Sequence, residues 1–134
     1  MLYKIPFKKA VRFTIFIYAL LLVVHLGLLI VSLFYRLDIE QYVWGGSIQD
    51  KGQFIFFELM AIFVLCVFGF FILVKSKYLH FPSLRRTTSI ILYISVAYFF
   101  INTIGNIFAP SYFEKSFALI SFLLCLFTLR IAIE

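Results

Sequence analysis

Four long apolar runs separated by three polar stretches set the pattern of this chain. The first extends from Phe13 to about Phe34. That is roughly 22 residues, or about 33 Å of helix, enough to cross the hydrocarbon core of a bilayer. A cleaved signal has a shorter core and a small-residue cleavage site, and Ser32-Leu33-Phe34-Tyr35 offers none, so the run is kept as a membrane helix. The second run covers about Phe54 to Val74, the third ends near Phe108, and the fourth near Ile133. Pro82 and Pro110 stop helices from running through the connections. Thr87 or Thr88 is placed to cap the third helix. Ser111-Tyr112-Phe113-Glu114 is a capping-box pattern that opens the fourth, and Arg130 falls in its last turn, where a cation suits the helix dipole. The pattern predicts an all-α, integral membrane, antiparallel bundle of four transmembrane helices (about 13–34, 54–74, 88–108 and 112–133), as one transmembrane domain over 1–134.

Within each run the small and polar residues fall on one face. In lipid such residues let helices approach, because larger apolar side chains are equally content against acyl tails. On the fourth helix Ala118, Ser121, Cys125, Thr128 and Ala132 recur at spacings of three and four. Tyr18, His25 and Ser32 repeat every seven residues on the first, with Thr14 one turn earlier. Thr88, Ser95 and Asn102 do the same on the third, with Asn106 one turn further, and Glu58, Ala61, Leu65 and Gly69 form a stripe on the second. These stripes are the helix-packing faces.

Composition narrows the class. The 134 residues are 64% hydrophobic and 13% charged, with a mean hydropathy of +1.09. A domain this small has too little interior to hide that surface from water. The net charge of +6 sits at helix ends and not along a polar stripe, which excludes a nucleic-acid partner. Nine cations (Lys4, Lys8, Lys9, Arg12, Lys75, Lys77, Arg85, Arg86 and Arg130) fall at one end and three (Arg36, Lys51 and Lys115) at the other. The positive-inside rule then expects cytoplasmic termini. Cys66 and Cys125 lie in apolar runs, without neighbours that would make a metal site or a structural disulfide. No metal, cofactor or catalytic residue is expected.

The chemistry concentrates in the outer half. The stretch 35–53 carries Asp38, Glu40 and Asp50 against Arg36 and Lys51, and is long for a connection in a bundle. Gly45-Gly46 permits a turn or a close backbone approach. Trp44 reads most simply as an interfacial belt residue with Tyr35 and Tyr42. At about 1.5 Å per residue, His25, Asn102, Glu58 and Asn106 fall into one slab between about 18 Å and somewhat over 24 Å from the inner boundary. A lone carboxylate at that depth is costly. Glu58 has to carry a proton, pair with His25 or take hydrogen bonds from Asn102 or Asn106. The candidate ligand- or partner-binding set is His25, Trp44, Gly45, Gly46, Glu58, Asn102 and Asn106; the bland alternative is a polar clasp that only fixes packing.

Val43-Trp44-Gly45-Gly46-Ser47-Ile48, Phe57-Glu58, Asn102-Thr103-Ile104-Gly105-Asn106 and Glu114-Lys115 together resemble a group of short, uncharacterised bacterial four-helix membrane proteins. The chain departs from that group at Ser47, where the group tends to carry an arginine. The resemblance covers nearly the whole chain, implies the same architecture and points to the same residues, but implies no activity. Small multidrug exporters have a similar length but carry a carboxylate in the first helix, where this chain has only His25. Sterol-isomerase-like bundles use similar residue types without a shared spacing.

The expectation is a multi-pass protein of a bacterial inner membrane, with the Trp-Gly-Gly loop outside. The favoured activity is non-enzymatic: binding a hydrophobic small molecule or lipid, or docking in a larger membrane complex. The alternatives are a proton- or ion-coupled transporter working as a homo-oligomer, and a purely structural bundle.

Overall fold

A computed structural model of the chain describes residues 4–35, 39 and 43–134. Arg36, Asp38, Glu40 and Tyr42 of the first connection lie outside the described residues. Four helices account for most of the rest: α1 (Phe7–Tyr35), α2 (Lys51–Lys75), α3 (Arg85–Phe108) and α4 (Tyr112–Ala132). One 3-10 turn, Trp44–Gly46, precedes α2 and another, Pro82–Leu84, precedes α3. All four helices are long and apolar enough to cross a membrane, and the protein is a multi-pass membrane bundle.

The helices run up and down in sequence order. α1 packs on α2 and α4, α3 packs on α2 and most extensively on α4, and α2 meets α4 only lightly across the diagonal. The small and polar stripes face inward. Thr14, Tyr18 and Ser32 are buried on α1, as are Glu58, Ala61 and Leu65 on α2 and Thr88 and Ser95 on α3. On α4, Ser121, Cys125, Thr128 and Ala132 are buried, while Ala118 is half-buried. Leu92, Leu124, Ile72 and Ile131 fill the space between them with no exposure, and Phe16, Phe63, Ile101 and Leu119 point outward. An apolar exterior of that kind is what lipid solvates. Cys66 is exposed and Cys125 buried, both as free thiols.

The helix ends depart from the apolar runs, because hydrogen bonds set them and hydropathy does not. α1 starts at Phe7 and not near Phe13. The Pro6 carbonyl accepts from the Lys9 and Ala10 amides at 2.9 and 3.0 Å, and lysine and arginine are good helix formers that carry the helix out of the apolar zone. α2 starts at Lys51 because Asp50 Oδ1 accepts from the Gln53 amide at 2.8 Å. The Gln53 side chain returns to accept from the Gln49 amide at 2.8 Å, a variant of the capping box. Neither Thr87 nor Thr88 caps α3, which begins at Arg85 with Leu84 at the cap position and no side-chain bond there. The 3-10 turn at Pro82 leads directly into it. Ser111 caps α4 as expected, accepting from the Glu114 amide at 3.1 Å.

Arg130 does more than complement a dipole. It is 5% exposed, its Nε donates to the Ile5 carbonyl at 2.9 Å, and its guanidinium meets Glu134 at 2.7 Å. This ties the segment before α1 to the end of α4.

Candidate functional site

The site is built where the loop before α2 turns back over the bundle. Trp44, Gly45 and Gly46 all have left-handed backbones, with φ of 54°, 69° and 67°. The Gly46 amide closes on the Val43 carbonyl at 3.1 Å, and the Ser47 hydroxyl donates to the Trp44 carbonyl at 2.7 Å. Glycine adopts such φ values freely. For Trp44 the conformation costs about 1–2 kcal/mol, and the contacts of its indole offset that cost.

Those contacts are specific. The indole N–H donates to Glu58 Oε1 at 2.8 Å, and the ring stacks on Phe57 with centroids 5.2 Å apart. The other oxygen of Glu58 lies 2.7 Å from His25 Nδ1. Glu58 is fully buried. An indole nitrogen can only donate, so one carboxylate oxygen accepts from Trp44, and a proton lies between the other and the imidazole. A carboxylate with both oxygens engaged escapes the penalty of burial without a partner. The Trp44 indole thus turns into the bundle, toward a buried acceptor.

A second glutamate holds the same turn from the opposite side. Glu114 Oε1 accepts from the Gly45 amide at 2.5 Å, and Oε2 accepts from the Ser111 hydroxyl at 2.9 Å. In an ordinary capping box the acid would reach back to the amide of its own cap residue. Here it is shared with a loop 69 residues away. The Trp-Gly-Gly turn is thus pinned by α2 through its tryptophan side chain and by α4 through its glycine backbone.

Beneath the turn lies a cavity of about 140 Å³ lined by His25, Trp44, Glu58, Asn102, Asn106, Glu114 and Ser121 among apolar neighbours. The four residues expected in one slab line this cavity together, but they divide. His25, Trp44 and Glu58 bond to one another. Asn102 and Asn106 line the same cavity yet bond elsewhere. Asn102 Nδ2 donates to the Tyr98 carbonyl at 2.9 Å, and Asn106 Nδ2 to the Ser121 hydroxyl at 3.4 Å. Gly45 supplies an amide to the latch, while Gly46 supplies only the shape of the turn. Sequence reasoning gave Glu114 a capping role and missed its bond to the turn. An acid in the first turn of a helix signals a cap, and nothing in its spacing reports a loop so far back in the chain.

The cavity wall offers carboxylate acceptors, two side-chain amides and aromatic rings. Among the described residues no cluster of three or more histidines, cysteines or acids is placed to hold a metal ion. Comparison with protein-family models, with curated proteins and with solved structures finds no match to this chain.

Proposed function

We propose that this membrane bundle is a non-enzymatic binding protein whose ligand occupies the cavity under the Trp-Gly-Gly turn. The observation that carries the reading is the double latch: Glu58 and Glu114, from two different helices, hold one strained turn over a partly open, largely apolar cavity with polar groups in its wall. A packing clasp needs no cavity, and a surface loop needs no two-point attachment. A cavity near 150 Å³ holds a molecule about the size of benzene. The part of the ligand held under the turn is therefore compact and amphipathic, and the half-open cavity leaves room for an apolar remainder to extend outward. The charge asymmetry favours cytoplasmic termini and an outer turn, in keeping with a bacterial inner membrane and with the small four-helix proteins that the motifs resemble.

Trp44 is the only tryptophan and lines the cavity, so intrinsic fluorescence reads occupancy directly. Gentle purification from native membranes, followed by mass spectrometry of released small molecules, is expected to yield one compact compound in stoichiometric amount. Adding it back shifts the Trp44 emission, and Glu58→Gln or Asn102→Ala weakens binding about tenfold, as expected when one buried polar contact is lost. A stoichiometric protein in place of a small molecule would make the chain an accessory subunit. Unchanged affinity in both variants would remove these residues from the site.

One further observation favours transport as a second reading. Below the cavity the interior carries hydroxyls, with Tyr18 Oη 3.3 Å from Ser95 Oγ and Thr14, Thr88 and Thr128 buried nearer the other end. Proteoliposome proton flux that depends on Glu58 would favour this reading over simple binding.

A further inference from the structure

The opposite end of the bundle holds a second concavity that the candidate site does not use. It is a groove of about 1060 Å³ between the start of α1, the end of α2 and the start of α3. Its rim carries Lys8 and Arg12 from α1, Lys75 and Lys77 from the end of α2, and Arg85 from the first turn of α3. The one carboxylate lining it, Glu134, is already paired with Arg130 at 2.7 Å. Five cations thus line a common space, and among the described residues that line it no acid is left to neutralise them.

The floor adds an independent observation. Thr88 lines the groove, is 2% exposed, and its hydroxyl has no hydrogen-bond partner. A buried hydroxyl left unpaired is unfavourable, and a ligand that bonds to it relieves that cost. Thr88 is in the first turn of α3, a helix of 24 residues with no side-chain cap and no acid in that turn. By contrast, Asp50 caps α2 and Ser111 caps α4. This start of α3, without an acid of its own, is the positive end of its dipole, which favours an anion. Since the helices cross the membrane, this end lies at a bilayer interface.

We propose that this groove is a phosphate-binding site. Arg85 and Arg12 supply charged donors from the rim and Thr88 a hydroxyl donor from the floor, and the ligand is a phosphate group carried either by an anionic lipid or as free phosphate. A hydroxyl on the floor separates the idea from diffuse attraction. Scattered cations near a bilayer gather anionic lipid without any built site, and that attraction is indifferent to a neutral side chain.

The test uses the full chain in mild detergent and native mass spectrometry, with phosphatidylglycerol and phosphatidylcholine of identical acyl chains as probes. Phosphatidylglycerol is expected to be retained at least about tenfold more tightly, as charge-assisted contacts imply. Thr88→Val, nearly isosteric, should weaken it about fivefold, and Arg85→Gln about tenfold. Arg86→Gln removes the same charge one residue further on, outside the groove lining, and should change retention by less than about twofold. A parallel arm adds inorganic phosphate at millimolar concentration. Displacement of the lipid, or a raised melting temperature, identifies free phosphate as the ligand. Retention of the lipid against phosphate identifies the lipid headgroup. Equal retention of the two lipids with no effect of phosphate overturns the proposal, as does a folded Thr88→Val protein that binds like the unaltered chain. Should Thr88→Val fail to fold, the exposed Arg85 and Arg86 variants decide: equal losses mean diffuse attraction and overturn the site.

Discussion

At the scale of single residues, Glu58 decides the geometry of the end closed by the Trp-Gly-Gly turn. It engages His25 at 2.7 Å and Trp44 at 2.8 Å with no exposure of its own. Glutamine has the same shape. Its carbonyl can accept from the indole while its amide donates to a neutral imidazole, so Glu58→Gln should lie within about 1 kcal/mol of the unaltered protein. Leucine offers neither contact and leaves an indole N–H and a ring nitrogen without partners. Glu58→Leu should therefore cost about 1–3 kcal/mol, toward the lower end because polar contacts in membrane bundles are worth less than their isolation suggests. Thermal unfolding in detergent, followed by Trp44 emission, checks both. The leucine variant should unfold earlier and show a displaced indole. Equal melting of the two variants would mean that the latch contributes no stability.

At the scale of elements, the α3–α4 pair is the most closely packed part of the bundle, and Ser121 of the small stripe of α4 meets Asn106 of α3 there. Ser121 is 8% exposed and accepts from Asn106. Ser121→Leu should force the helices apart and strand the Asn106 amide, costing about 1–3 kcal/mol by overpacking. Leu119→Ala, at a position 64% exposed, should stay within about 0.5 kcal/mol. Chemical or thermal unfolding compares them, and equal effects would mean that the small stripe is not the packing face. That stripe was legible in the sequence because spacings of three and four are dictated by the helix itself, and so were the four spans, whose length is dictated by the bilayer. The helix starts were less so. Phe7, Lys51 and Arg85 begin their helices where a proline carbonyl, an aspartate side chain and a 3-10 turn allow, and hydropathy senses none of these. The candidate site was half legible. Depth arithmetic brought His25 to Glu58, but the inward turn of Trp44 and the reach of Glu114 to Gly45 are tertiary facts that no local pattern encodes.

At the scale of the whole molecule, the two ends of the bundle have opposite character. One end is closed by a strained turn held between two glutamates; the other opens into a groove ringed by cations. Their difference bears on insertion. With nine basic residues at one end and three at the other, the chain should insert with the basic end and both termini in the cytoplasm, each basic residue near the surface contributing about 1 kcal/mol of attraction to anionic headgroups. A fluorescent protein fused after Glu134 should therefore mature and fluoresce in intact bacterial cells, and an exported phosphatase at the same position should stay inactive. The converse pattern is expected of a phosphatase inserted between Ser47 and Gln49, in the loop that follows the turn. Because the first helix usually dominates orientation, neutralising Lys4, Lys8, Lys9 and Arg12 together is the sharpest perturbation. It removes four of the nine charges but leaves the α2–α3 connection with Lys75, Lys77, Arg85 and Arg86. If that connection can anchor the bundle alone, the reporters keep their pattern; if the N-terminal cluster governs insertion, mixed signals appear. An active phosphatase on the C-terminus of the unaltered chain would reverse the assignment and place the cationic groove outside the cell.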